Sequence, residues 1–359
     1  LKLRVLFLGG CPDRPERALL GALVKHGVGV VVAVEPGAGE ELRGSGVEVR
    51  ELRFNARIDP RAALTVRRWL NAEHFDLIHA VTARSLTAAV LGSLGKTIPI
   101  VAYRGTMGNI SRFDPSAWLS FLNPKVAGVS CVSQAVCNDL AQYLLTPEHA
   151  VTIYKGHDLS WYDGVVAYVR HAMGIGATEQ VICCTANMRA LKGVDILMRA
   201  FAKLVETSEL RLLLIGEVRD LALPKLAQEL GIAQRVIFTG FRRDALALVA
   251  MSDIFVMPSL RREGFPKAVI EAMALARPVV LSDVGGMPEQ IVDGESGLVV
   301  PAGDSTALAN ALTRLIQDKK LSEQLGELGR ERVRKVFTVE SMVDQTLELY
   351  GRVCGRGPA

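Results

Sequence analysis

Glu263 and Glu271 stand eight residues apart in Glu263-Gly264-Phe265-Pro266-Lys267-Ala268-Val269-Ile270-Glu271-Ala272-Met273-Ala274, across a junction that reads as loop into helix. Pro266 suits a first helical turn, where its fixed φ is already helical and its missing N–H would have no partner. The expected result is a helix N-terminus whose backbone N–H groups, from Gly264 to Lys267, offer a place for an anion. Glu263 would lie in the loop before that place and Glu271 just over a turn into the helix. One carboxylate can then reach one end of a phosphate-linked ligand and the second its other end, the layout expected for gripping a nucleotide-sugar. Two glutamates at this spacing are common by chance, so the pair alone carries little weight.

Other polar groups fall where a parallel α/β sheet binds ligands, beyond the carboxyl ends of its strands. Asn187-Met188-Arg189-Ala190-Leu191-Lys192-Gly193 follows one apolar run and leads into a helix. Arg189 and Lys192 are suited there to neutralise a diphosphate; read structurally, they are an exposed basic loop. Gly216-Glu217 and Thr239-Gly240-Phe241 follow two further runs. Their glycines permit close approach of a base to the backbone, or simply end the strands in turns. No D-x-D occurs, and no His/Asp/Glu cluster has metal spacing. The expectation is therefore no metal and no cofactor, with a diphosphate stabilised by basic side chains and by a helix N-terminus, which is worth up to about 2 kcal/mol when sheltered.

Short apolar runs alternate with amphipathic stretches from end to end, the pattern of doubly wound α/β domains. Strands are expected at 4–8, 28–34, 47–52, 77–80, 100–103, 128–132 and 151–154, with helices near 15–25, 61–71 and 134–144. A second series runs through 181–185, 212–215, 236–238, 254–256 and 279–281, with helices near 196–206, 223–230, 244–250 and 266–275. The junction is placed at Lys155-Gly156-His157-Asp158, with a helical segment expected after it; Lys155 and His157 either face a ligand or shape the hinge. Two charged helices should follow the last strand. Residues 339–353 read as an amphipathic helix with Met342, Leu347 and Tyr350 on one face. The tail from Gly355 to Ala359 should be frayed.

A chain of 359 residues suits two domains, and 49% hydrophobic with 22% charged residues is ordinary for a globular protein. No apolar run is long enough to span a bilayer, and the opening apolar block is too short for a signal peptide. The six cysteines form no C-x-x-C; Cys183 and Cys184, adjacent in an apolar strand, read as buried small hydrophobes, and the chain as one of a reducing compartment. The expected place is cytoplasmic, with peripheral attachment to the inner face of the cytoplasmic membrane left open. A net charge of +4 argues against nucleic acid as a partner. Arg53, Arg57, Arg61, Arg67 and Arg68, with Trp69, form either a solvated helix face or a contact with anionic membrane. A dehydrogenase is excluded because no G-x-G-x-x-G follows a strand; Gly174-Ile175-Gly176 reads as a helix C-cap.

Taken with Pro278-Val279-Val280-Leu281, Ser282-Asp283-Val284-Gly285-Gly286-Met287-Pro288-Glu289 and Val292–Asp304, these motifs resemble the donor-binding half of family 4 retaining glycosyltransferases. The resemblance implies the GT-B fold: two Rossmann-like doubly wound parallel-sheet domains facing across a cleft, with a C-terminal helix crossing back to the first. The corresponding spans are 1–158 for the acceptor side, 159–338 for the donor and 339–359 for the final helix. It implies transfer of a sugar from a nucleoside-diphosphate sugar, with uridine diphosphate preferred over guanosine diphosphate, to a glycan or glycolipid acceptor. Configuration is retained and no metal is used in the resembled family. Glu263 would steady the transferred sugar, although a structural cap on the following helix is its other reading. Arg189 and Lys192 would hold the diphosphate, and Glu271 the ribose. Gly10, Gly216, Gly240, Phe241, Gly264, Phe265, Pro266 and Lys267 would complete the donor site.

Two departures stand out. Ala186-Asn187 replaces the family's frequent Gly-Arg, and Cys11-Pro12-Asp13-Arg14 follows Gly9-Gly10 in place of its usual continuation. On the acceptor side, Arg104 or Thr106 falls where many members carry a histidine. His79 and Arg112 are further candidates, with Phe113 and Asp114 beside Arg112. Envelope glycolipid, lipopolysaccharide or polysaccharide is the default product. A small soluble acceptor of the sugar-phosphate type, or a non-catalytic nucleotide-sugar-binding subunit, is the alternative.

Overall fold

The computed structural model describes residues 3–205 and 209–356. The chain divides into two compact units: one runs to His157 and resumes at Phe337, and the other is Asp158–Val336. In the first, strands β1 (Arg4–Gly10), β2 (Gly29–Val34), β3 (Glu48–Glu51), β4 (Leu77–Ala80), β5 (Ile100–Arg104), β6 (Val126–Cys131) and β7 (Ala150–Thr152) form one sheet in the order β3-β2-β1-β4-β5-β6-β7. Neighbouring strands run parallel. Its central strands are unbroken apolar runs, as they must be when both faces of a sheet are covered; Val5, Leu6, Phe7 and Leu8 are all buried.

Helices α1 (Arg14–Lys25), α2 (Pro60–Ala72), α3 (Ala83–Gly92) and α4 (Gln134–Ala141) return the chain between strands. Each begins at a side-chain cap, from Asp13, Asp59, Thr82 and Ser133 in turn, which takes up N–H groups the helix cannot satisfy itself. At α1 the cap is reciprocal: Asp13 accepts from the Glu16 N–H at 3.1 Å and Glu16 accepts from the Asp13 N–H at 3.2 Å.

In the second unit, β8 (Gln180–Thr185), β9 (Leu210–Ile215), β10 (Val236–Gly240), β11 (Ile254–Met257), β12 (Val279–Ser282) and β13 (Leu298–Val300) lie in the order β10-β9-β8-β11-β12-β13. Helices α5 (Val194–Ala202), α6 (Leu223–Glu229), α7 (Ala245–Met251), α8 (Lys267–Ala274), α9 (Ser305–Gln317) and α10 (Lys319–Val336) accompany them. Three expectations are corrected. The segment after the junction holds only short 3-10 turns, Leu159–Trp161 and Arg170–Met173, the second closed by Gly174. Strand β13 was not expected, because three residues carry too short a pattern. Of the two closing helices only α10 is charged; α9 carries the single charged side chain Arg314. Glu206, at the end of the helix expected from Ile196, lies outside the described residues, as do the last three residues of the tail. Among the described residues no helix is long and apolar enough to cross a membrane.

The last helix, α11 (Val339–Val353), belongs to the first unit. Met342, Val343, Leu349 and Tyr350 enter the same buried cluster as Val5, Phe7 and Leu23, and Leu347 packs at its border. One polar contact lies within this apolar seam: His79 Nδ1 and the Tyr350 hydroxyl are 2.6 Å apart. His79 also packs against the Phe7 ring at 4.7 Å between centroids. Burial alone pushes its pKa from 6.5 down to about 3, so the ring is neutral.

Because an unfolded histidine titrates near 6.5, the unfolded chain takes up the proton first as pH falls. The contribution of His79 to stability is therefore complete above that pH and is lost progressively toward about pH 3. Calorimetric melting between pH ~7 and ~4.5 should show a steeper loss for the native chain than for His79→Gln. Equal slopes would contradict a neutral, buried His79.

Candidate functional site

In the second unit the strand order reverses between β8 and β11, since β9 and β10 extend the sheet on one side of β8 and β12 and β13 on the other. Loops that follow the two strands at such a reversal diverge and leave a crevice for ligand. Here those loops are residues 186–193 and 258–266, and backbone contacts hold them together. The Leu260 N–H donates to the Leu191 carbonyl at 2.9 Å. Gly193 has φ 63°, and a Cβ on it would lie 2.1 Å from the Pro258 carbonyl oxygen. Only glycine fits both the conformation and the space.

This clamp sets Lys192 against Glu263. The Lys192 ammonium pairs with Glu263 Oε1, and the Ser259 hydroxyl donates to the same oxygen at 2.7 Å. Glu263 is only 7% exposed and Ser259 is fully buried. The Gly286 N–H, from the loop after β12, donates to the Glu263 carbonyl at 3.2 Å and steadies the backbone. Arg189 is exposed, and among the described residues its guanidinium has no hydrogen-bond or ion-pair partner. Among the described residues no group of three His, Cys, Asp or Glu is arranged to hold a metal ion.

The start of α8 differs from expectation. Pro266 is the N-cap, with ψ 118°, and Lys267 is the first helical residue. The N–H groups at the helix start are thus those of the turn beginning at Lys267, not the run from Gly264, and Pro266 has none to offer. The Pro266 carbonyl accepts from the Val269 N–H at 3.1 Å and from Gln290 Nε2 at 3.1 Å, so a fully buried glutamine fixes the helix end. Lys267 Nζ lies 3.5 Å from Glu271 Oε1 along the exposed edge of the helix. Gly264 is buried and Phe265 half-buried between these groups.

Gly216 and Gly240 close the ends of β9 and β10, joined by the Gly216 N–H to the Gly240 carbonyl at 2.9 Å. The space a Cβ would occupy on Gly216 is taken by the Ala186 carbonyl oxygen, 2.0 Å away. That glycine is needed for the chain's own packing. Phe241, next in line, is 77% exposed.

In the first unit most of the candidate polar side chains are already engaged. His79 is in the core, as described. Arg104 folds back onto the Gly108 carbonyl and stacks on Phe121 at 5.0 Å; burial lowers its pKa, which the nearby Asp139 opposes. Arg112 caps α4 from outside its end, donating to the carbonyls of Gln142, Tyr143 and Leu144 at 3.1, 3.0 and 3.3 Å. Lys155 pairs with Asp13 at 2.7 Å and Glu16 at 3.0 Å. Burial disfavours its charge, but Tyr103, Glu16 and Asp13 outweigh this and hold it protonated. Thr106 is exposed, Phe113 is 96% exposed, and Gly10 ends β1 with open space around it.

Sequence reasoning missed Ser259 and Gln290. Ser259 stands four residues before Glu263, a spacing that says nothing until the loop geometry is known. Arg261 and Arg262, exposed in the same loop and the second at φ 63°, were not singled out either.

Two family models match: Glycosyltransferase Family 4 over residues 17–161 and Glycosyl transferases group 1 over residues 179–318. The lipopolysaccharide core biosynthesis glycosyltransferase LpsE of Rhizobium meliloti is 30% identical over 348 residues, covering 92% of this chain and 93% of its own. The N-acetyl-alpha-D-glucosaminyl L-malate synthase of Bacillus anthracis is 29% identical over 281 residues, 77% of this chain and 73% of its own. Among solved structures, Anabaena Alr3699/HepE in complex with UDP shares the fold with a TM-score of 0.82 over 98% of this chain and 100% of its own, at 23% identity. Two doubly wound parallel-sheet units of this kind make up the GT-B fold of glycosyltransferases. The chain belongs to family 4 of these enzymes.

Gly193→Ala should lower stability by at least about 2 kcal/mol, a fall in melting temperature of roughly 4–8 °C. Gly231 has a similar φ of 69° but open space around it, so Gly231→Ala should cost only about 1 kcal/mol. Equal losses in thermal melts would contradict the crowding of Gly193 against Pro258.

Proposed function

We propose that the protein transfers a sugar, with retention of anomeric configuration, from a nucleoside-diphosphate sugar to a hydroxyl of a glycan or glycolipid acceptor. The observation that carries this reading is the meeting of Lys192 and Glu263 where β8 and β11 diverge, in the loop that leads into α8. Lys192 and the exposed Arg189 supply cations for a diphosphate, and the first turn of α8 adds N–H donors. Glu263 is suited to take hydroxyls of the transferred sugar and to favour positive charge at its anomeric carbon. Glu271, a little over one turn into the helix, is suited to a ribose. Phe241 offers an exposed ring beside the base. Uridine diphosphate is the favoured carrier, a reading supported by the UDP complex of HepE.

The name of LpsE supports an envelope lipopolysaccharide or glycolipid as acceptor. A peripheral contact with anionic membrane would serve such an acceptor, and the exposed side of α2 is suited to make it. Leu64 on that side is 54% exposed, and Ile58, just before the helix, 49%. Arg53 and Arg57 pair with Glu35 and Asp114, and Arg67 donates to the Leu94 carbonyl. Arg61 and Arg68 are exposed, and among the described residues their guanidinium groups have no hydrogen-bond or ion-pair partner. A second reading is a small soluble acceptor, favoured by the name of the N-acetyl-alpha-D-glucosaminyl L-malate synthase of Bacillus anthracis. The two differ only in the first unit.

A thermal-shift panel of UDP, GDP, ADP, dTDP and CDP tests the donor. A diphosphate at a hundred times its Kd should add about 2.7 kcal/mol of stability. Lys192→Ala should remove that shift, while Glu263→Ala should mainly lower turnover. Unchanged kinetics in both variants would sink the assignment.

Vesicle co-sedimentation tests the membrane contact. With roughly 1 kcal/mol per basic residue near an anionic surface, the double change Arg61→Glu, Arg68→Glu should lower binding to phosphatidylglycerol vesicles at least about tenfold. Equal binding by the variant, or equal binding of the native chain to neutral vesicles, would rule it out.

A further inference from the structure

The bonding around Glu263 is lopsided. Both of its side-chain partners, the Lys192 ammonium and the Ser259 hydroxyl, meet one oxygen, Oε1, while Oε2 accepts from no described residue. Lys192 likewise has Glu263 as its one ion-pair partner among the described residues. The pair is mostly out of water, with side-chain exposures of 19% for Lys192 and 9% for Glu263. Separating such a pair without a substitute leaves charge uncompensated, so Lys192 leaves Glu263 readily only when another anion takes its place. Ser259 is different: its hydroxyl is buried, neutral and bound to the carboxylate alone, so an arriving anion gives it no reason to move.

We propose that Glu263 is an internal competitor for Lys192, displaced from it by a diphosphate, and that Ser259 is the positioning residue that keeps the carboxylate in place after the exchange. This rests on reading the β8–β11 crevice as a nucleoside-diphosphate site. In the empty site the ammonium neutralises Glu263. When phosphate oxygens claim the ammonium, the carboxylate regains full acceptor strength, held at Oε1 by Ser259 and open at Oε2. Hydroxyl recognition by Glu263 is then available only once the phosphates are bound, so a free sugar gains nothing from it.

The test is calorimetric titration of the full chain with UDP in four forms: native, Glu263→Gln, Lys192→Ala and the double variant. Glutamine keeps the shape and the Ser259 bond but removes the charge. Glu263→Gln should bind UDP about fivefold to tenfold tighter than the native chain, and Lys192→Ala at least about tenfold weaker. In the Lys192→Ala background, Glu263→Gln should add less than about twofold. Equal or weaker binding by Glu263→Gln overturns the exchange. So does an equal gain in both backgrounds, which would report only the field of the removed charge. If neither the native chain nor Glu263→Gln binds any of the five diphosphates, the donor reading itself fails.

For Ser259, slow hydrolysis of the UDP-sugar in the absence of acceptor gives the readout. Ser259→Ala should lower kcat about tenfold with the Kd for UDP within about twofold, as expected for one hydrogen bond to a charged group. Ser259→Thr should restore it. Unchanged kcat in Ser259→Ala, or a loss of binding and melting temperature that threonine does not repair, removes Ser259 from the account.

Discussion

Between Gly193 and Pro258 there is no room for a side chain. The carbonyl oxygen of Pro258 lies 2.1 Å from where a Cβ would be, and the Leu260 N–H bonds to the Leu191 carbonyl beside it. Loops that the strand order would otherwise send apart are closed onto one another at this point. Everything at the site follows from that closure. Lys192, which precedes the glycine, and Glu263, five residues beyond Pro258, have no other route to contact. The loop after β9 joins the same assembly, with Gly216 giving its side-chain space to the Ala186 carbonyl.

The two units treat their charged side chains differently. In the first, Arg104, Arg112 and Lys155 hold loops and helix ends, with Lys155 joining the end of β7 to the cap of α1 through Asp13 and Glu16. In the second, Arg170 and Arg211 likewise hold Asp253 and Glu179, but Arg189, Arg261 and Arg262 stand exposed in the loops that carry the part-buried Lys192–Glu263 pair. The proposed diphosphate site needs cations that folding has not already neutralised, and the exposed Arg189 is suited to that. In the first unit, Thr106 after β5 and Phe113 further along the same loop stand open to solvent.

The alternation of apolar strands and amphipathic helices was plain in the sequence, because parallel strands covered on both faces leave unbroken apolar runs. The residues of the last helix gave only an apolar face of Met342, Leu347 and Tyr350; its return to the first unit was implied by the family resemblance. Strand β13 was not legible, since Leu298-Val299-Val300 is too short to carry a period. The start of α8 was misplaced by one residue because Pro266 fits an N-cap as well as a first turn. The Glu263–Lys192 contact spans 71 residues, and Ser259 joins it through a loop shape that no local spacing encodes. His79, an acceptor-side candidate whose type and strand-end place suit a structural residue equally, lies in the core beside a tyrosine 271 positions away.

Hydrogen–deuterium exchange with and without UDP tests the central claim most directly, since it locates the ligand without assuming an acceptor. The account predicts slowed exchange in residues 186–193 and in 258–268, where the loops after β8 and β11 and the first turn of α8 meet. Protection confined to other segments, with these two loops exchanging as before, would contradict it.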